Sequence, residues 1–225
     1  GMIQPNMATM LGFIATDASI PPAMLDGMLR AAVNLSFNRI TVDGDTSTND
    51  AVTLTATGRS DFVISPTTPD AVQVFQSALT ALAKELAQDI VRDGEGATKF
   101  VAIEVSGAKS VAEADSVGRT VAHSPLVKTA LFASDPNWGR ILAAIGRAGV
   151  EDLDVDAVSL SINGALIAEN GARAESYTEQ AGVAAMAPED LLIAIDLARG
   201  NETATIWTTD LSYAVSYTHL RAHET

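Results

Sequence analysis

The chain has 225 residues, 47% of them hydrophobic, and carries a net charge of −14 from 14 basic and 28 acidic side chains. That is enough apolar material for one large domain or two closely packed ones, and the acidic surface repels phosphate backbones, so nucleic acid is excluded as an expected partner. The absence of cysteine excludes a disulfide framework, a thiolate zinc site and a cysteine nucleophile; with no charged-then-apolar leader and no apolar run near about 18 residues, a soluble cytoplasmic protein is expected.

Leu11-Gly-Phe-Ile-Ala-Thr16 is a short apolar run that predicts a buried strand. Pro21-Pro22 opens a helix, since proline suits the first turn, and Met24, Leu25, Met28, Leu29, Ala32 and Val33 recur at helical spacing as its core stripe. Ile40-Thr-Val42 predicts a strand running into the polar turn 43–50, and residues 51–57 alternate like a half-buried strand. From Asp70 the spacing predicts a long helix, with Ala71, Val74, Phe75, Ala78, Leu79, Leu82, Leu86 and Ile90 on one face, stopping near Gly94; residues 99–105 predict a strand.

A second region is expected from Gly107. Helical spacing covers 110–123, residues 127–132 read as extended, and 137–147 read as a helix after Asp135-Pro136. Residues 158–162, 192–196 and 204–208 predict strands, with Asn163-Gly164 and Gly200-Asn201 supplying tight turns. Helices and strands alternate without a βαβ rhythm, and no repeat is present. The expected fold class is α/β: a layered sandwich with mixed sheets flanked by helices.

The first chemistry lies at Ala8–Thr9. A lone Ala-Thr pair is ordinarily a strand edge. If that bond breaks, however, Thr9 carries its hydroxyl and a new α-amine on neighbouring atoms. An α-amine titrates at about 7.7–8.0, so near neutral pH part of it is free to take the hydroxyl proton. Glu95, between Gly94 and Gly96, reads by itself as a solvated loop carboxylate. Asp43, Asp45 and Asp50 do not fit the twelve-residue calcium loop and read as a structural turn. Asn137 is placed to cap the helix after it. Arg140 has two readings, an ion pair with Asp135 or a grip on a substrate carboxylate. No dinucleotide fingerprint is present at Gly146-Arg-Ala-Gly149, and His123 reads as a helix-end residue.

Four stretches, in order, carry a resemblance. Gly1-Met-Ile-Gln-Pro-Asn-Met-Ala-Thr-Met-Leu11, Asp43-Gly-Asp-Thr-Ser-Thr-Asn-Asp50, Gly94-Glu-Gly-Ala-Thr-Lys99 and Ser124-Pro-Leu-Val-Lys-Thr-Ala-Leu-Phe-Ala-Ser-Asp-Pro-Asn-Trp-Gly-Arg140 are similar to motifs of the ornithine acetyltransferases. These are the self-cleaving glutamate N-acetyltransferases of arginine biosynthesis. The resemblance implies that family's sandwich fold and autocatalytic cleavage between Ala8 and Thr9. Thr9 would be the catalytic and substrate-binding nucleophile. It would carry acetyl from N2-acetylornithine to glutamate as an ester, without a bound cofactor or metal, and acetyl-CoA serves as a further donor in some members. Glu95 matches a substrate-contacting glutamate that holds the substrate amine or shuttles a proton.

By the same resemblance, residues 1–8 end the family's N-terminal chain, 9–106 form the nucleophile-bearing region, 107–213 the second region, and 214–225 a non-native tail. The tail looks like translated adapter sequence, and its His219 and His223 lack the glutamate of the metalloprotease motif. The expected partner is the N-terminal half of the same precursor, which supplies the oxyanion hole and a substrate-holding lysine and threonine, in an α2β2 heterotetramer. No nucleic acid or membrane partner is expected. Two alternatives stand: an amidase or aminopeptidase of the same self-cleaving architecture, and an inactive fragment that only associates with its partner chain.

Overall fold

The computed structural model describes residues 10–45 and 50–212. The chain divides into two compact units, 1–90 and 91–225, inside one long helix. The sequence reading set the change of region at Gly107, where a glycine with φ 66° interrupts a strand.

In the first unit, β1 (Leu11–Thr16) and β2 (Ala51–Ala56) form a parallel pair, Leu11 opposite Ala51 through Thr16 opposite Ala56. α1 (Pro22–Asn34) has proline in its first turn, and its stripe buries Met28 and Ala32. α2 (Pro69–Arg92) is tied to α1 where Gln76 Nε2 donates to the Met28 carbonyl at 3.2 Å.

Three sequence expectations change here. β1 is not buried: Ile14 is, but Leu11 and Phe13 are 66% and 75% exposed. Among the described residues this sheet has two strands, and alternate side chains of a strand leave opposite faces. Ile40 makes only an isolated bridge, because a short 3-10 turn over Phe37–Arg39 consumes the approach. α2 is rotated from its expected stripe. Leu79, Ala83, Ala87 and Val91 are buried, four apart, while Val74 and Leu82 are exposed. Ala83 and Ala87 supply half of that buried face.

The second unit is built on a six-stranded mixed sheet, β6-β5-β4-β7-β3-β8. The strands are β3 (Phe100–Ala108), β4 (Ser159–Ile162), β5 (Ala165–Glu169), β6 (Ala172–Arg173), β7 (Asp190–Asp196) and β8 (Glu202–Thr209). β3 runs parallel to β7; the other neighbours are antiparallel. Register sets Val101 opposite Leu191, Ile103 opposite Ile193 and Ile206, and Leu160 opposite Ile195. All seven are essentially fully buried, so this sheet face is the core.

The helices are α3 (Val111–Ala122), α4 (Pro125–Phe132), α5 (Trp138–Gly146) and α6 (Glu179–Met186). α3 lies on β3 and β8, α5 and α4 pack beside it, and α6 lies on β4 and β5. Gly118 lets α3 approach the sheet: a Cβ there would sit 2.8 Å from Ile206 Cγ1. The Asn163-Gly164 turn closes β4 to β5 with φ of 45° and 81°, the primed-turn geometry expected of that pair.

Residues 125–132 are helical, not extended. Ser124 Oγ accepts from the Val127 amide and Pro125 occupies the first turn, two start signals that outweigh the β-branched content of the run. No helix among the described residues is long and apolar enough to cross a membrane.

Candidate active site

Ala8 and Thr9, the sequence-predicted cleavage site and nucleophile, lie outside the described residues, as do 46–49 and the tail with His219 and His223. Met10, the residue after Thr9, accepts from the Ala51 amide at 2.7 Å. It lines a cleft of about 410 Å³ within the first unit. Phe37, Asp50 and α1 residues line the rest, with Arg30 and Asp26 paired at 2.8 Å. Asp43 Oδ1 accepts from the Asp45 amide, as a structural turn requires.

Glu95 is exposed on a four-residue turn. α2 stops at Arg92, the Gly94 amide donates to the Val91 carbonyl at 3.1 Å, and the Ala97 amide donates to the Gly94 carbonyl at 3.0 Å. Glu95 and Gly96 are therefore the central pair. Gly96 has φ 70° and Glu95 does not share that sign, the pattern of a type II turn. Arg92 anchors the turn's start, donating to both oxygens of Asp190 at 2.6 and 2.8 Å while lying 3.9 Å over the Phe100 ring. The Arg92 hydrogen bond holds the Asp190 carboxyl below its usual range.

Asp210 anchors the turn's end. Its Oδ1 accepts from the Thr98 amide at 2.9 Å and the Lys99 amide at 3.1 Å, and its Oδ2 accepts from the Thr98 hydroxyl. The Lys99 side chain goes elsewhere, donating to the carbonyls of Met186, Ala187 and Pro188 at 2.9, 3.3 and 2.8 Å. It thus satisfies orphan acceptors at the end of α6.

The Ser124–Arg140 stretch divides. Lys128 is buried and donates to Thr208 Oγ1 at 2.8 Å and the Thr209 carbonyl at 2.6 Å, while its own carbonyl accepts from the Leu211 amide. Lys128 and Asp210 therefore meet at the end of β8, which joins two of the four motifs. Asp135, Asn137 and Trp138 instead line a cleft of about 300 Å³ with Arg173, Tyr177 and Glu179. Burial, with the Glu179 carboxylate beside it, pushes the Tyr177 phenol up.

Asn137 caps α5 as expected, accepting from the Arg140 amide at 3.2 Å. Arg140 makes no ion pair with Asp135 among the described residues: its Nη1 donates to the Leu126 carbonyl at 2.9 Å and to Thr129 Oγ1 at 3.3 Å. Among the described residues no group of three His, Asp or Glu side chains is placed to hold a metal ion.

Asp210 was not legible as a site residue. Its partners are 111 and 112 residues away, and the one local signal is a carboxylate two residues after the predicted strand 204–208.

The ArgJ family model matches residues 1–223. The arginine biosynthesis bifunctional protein ArgJ of Pseudomonas syringae pv. tomato is 55% identical over 217 residues, 95% of this chain and 53% of that protein. The protein of the same name from Psychrobacter arcticus is 56% identical over 215 residues, with the same shares covered. The chain thus spans about half the length of the curated relatives it matches. A crystal structure of arginine biosynthesis bifunctional protein ArgJ from Bacillus halodurans has the same α/β fold. It superposes with a TM-score of 0.87 at 39% identity, covering 96% of this chain and all of that one. With its motifs in order, its fold matched and nearly its whole length covered by the family model, the chain belongs to the ArgJ family.

Proposed function

We propose that this chain is the nucleophile-bearing half of an acetyltransferase that moves acetyl from N2-acetylornithine to glutamate in arginine biosynthesis. Membership of the ArgJ family carries this reading. The Thr9 hydroxyl first attacks the Ala8 carbonyl, the C–N bond breaks to free the Thr9 amine as an ester forms, and water then hydrolyses that ester to restore the hydroxyl and leave Ala8 as a carboxylate. That amine then takes the hydroxyl proton as Thr9 attacks the acetyl carbonyl of N2-acetylornithine. The tetrahedral intermediate collapses, ornithine leaves with the proton, and acetyl remains as a Thr9 ester. The glutamate amine attacks that ester, and acetylglutamate leaves as the hydroxyl is restored. Splitting one transfer into two is what a covalent nucleophile does.

Glu95 contacts the substrate amine or moves its proton. The N-terminal half of the precursor supplies the oxyanion donors, each worth on the order of 10²–10³ in rate for acyl transfer. The assembly is an α2β2 heterotetramer in the cytoplasm, and acetyl-CoA is a second donor to be tried. Supporting Glu95's role is its place on a doubly anchored turn, outside the apolar faces.

The test is acceptor choice. The protein assembled with its N-terminal half is incubated with N2-acetylornithine, with and without glutamate. Acetylglutamate formation that depends on glutamate supports transfer. Acetate release at the same rate in both arms would identify an amidase, and no turnover with either would identify an association-only chain.

A further inference from the structure

We infer that Asp210 is a positioning residue for the transfer reaction, fixing the turn that presents Glu95. The inference rests on the reading of Glu95 given above. Asp210 is 4% exposed, and all three of its side-chain bonds go to the two residues that follow the Glu95 turn. Its three partners are all donors: two backbone amides and one hydroxyl. A carboxylate is an acceptor at every lone pair, so one side chain satisfies the set. The Lys99 ammonium, near in sequence, is spent on the carbonyls at the end of α6.

The backbone that carries this carboxylate is itself held. Thr209 Oγ1 donates to the Asp210 carbonyl at 2.9 Å, and the Leu211 amide donates to the carbonyl of Lys128, whose ammonium grips Thr208 and Thr209. A path of hydrogen bonds runs from α4 through the end of β8 to Thr98. The turn closes just upstream, at Ala97. Without that grip, the chain after the turn would be tied only from Lys99 onward, and Glu95 would move with residues 97 and 98. Displacements of about 1 Å at a reacting group cost about 10²-fold in rate.

The experiment uses the complete protein, both chains, and reads kcat and KM for acetylglutamate formation. The variants are Asp210→Ala, Asp210→Asn, Glu95→Gln and the double Glu95→Gln/Asp210→Ala. Asp210→Ala is expected to lower kcat about tenfold or more, short of the full misplacement penalty. Asp210→Asn should recover most of the rate, since its Oδ1 still accepts from both amides and its Nδ2 can donate to the Thr98 hydroxyl, which also accepts.

The decisive result is the cycle. If Asp210 acts through Glu95, adding Asp210→Ala to Glu95→Gln changes kcat by less than about twofold, because sites in one network are not additive. A full multiplicative loss in the double variant would overturn the inference while leaving Glu95's role intact. Wild-type kcat in Asp210→Ala would overturn it too. Wild-type kinetics in Glu95→Gln would overturn the reading of Glu95 first, and this inference with it. Should Asp210→Ala fail to assemble, Thr98→Val removes only the hydroxyl bond and runs through the same cycle, with a smaller loss expected alone and none beyond Glu95→Gln.

Discussion

Gly96→Ala probes the turn directly. Gly96 has φ 70°, a conformation that costs an L-residue about 1–2 kcal/mol. Part of this is offset, because alanine also restricts the unfolded chain, worth about 0.4–1 kcal/mol. The net expectation is a loss near 1 kcal/mol, or about 2–4 °C in melting temperature for a chain of this size. Gly96 is exposed, so no clash in a core adds to it. Gly96→Asn separates conformation from bulk: asparagine adopts positive φ more readily and should lose less. Melting followed by circular dichroism gives the stabilities, and acetyl transfer in the assembled protein gives the consequence for Glu95. Alanine should lower transfer more than asparagine does. If alanine melts at or above the parent temperature, the type II turn is not what holds Glu95.

Glu95→Gln should change stability by no more than about 0.5 kcal/mol, as exposed substitutions do, yet depress acetyl transfer sharply; a large melting shift would return Glu95 to a structural role. Gly118→Val should destabilise by about 1–3 kcal/mol in urea titration, since even a Cβ would lie 2.8 Å from Ile206 Cγ1 in a filled core. Asp190 titrates below its ordinary value of 3.8 because of the Arg92 hydrogen bond. Its stabilising contribution is therefore complete above that ordinary value and is lost as pH falls from there through the lower folded value. Asp190→Asn should flatten acid unfolding in that window by at most about 1 kcal/mol, as both side chains are well exposed. Superimposable acid curves would deny the pair any linkage.

Local rules carried much of the fold. β1, β2, α1 and α3 lie where periodicity and proline put them, and Asn163-Gly164 turns as its dipeptide demands. The departures have physical sources. Whether Leu11 and Phe13 are buried depends on what lies across the sheet, which period-2 spacing cannot report. The α2 stripe was misphased because large residues were weighted over Ala83 and Ala87, which are buried while Val74 and Leu82 are not. α4 was hidden by Val127 and Thr129, although Ser124-Pro125 announced a start. β5 and α6 were not anticipated at all.

At the site, Glu95's exposure followed from its flanking glycines, and Asn137's cap from its place after proline. The roles of Lys128 and Asp210 did not, because they are set by partners about 80 to 112 residues away. The resemblance supplied the chemistry of Thr9; no periodicity or spacing would have.

The most direct measurement is peptide mass analysis of the assembled protein after incubation with N2-acetylornithine alone. The account predicts one acetyl group on the peptide that begins at Thr9, discharged when glutamate is added and absent in Thr9→Ala, which has no hydroxyl to acylate. Turnover to acetylglutamate with no acetyl ever on Thr9, or with kinetics requiring both substrates bound together, would contradict it.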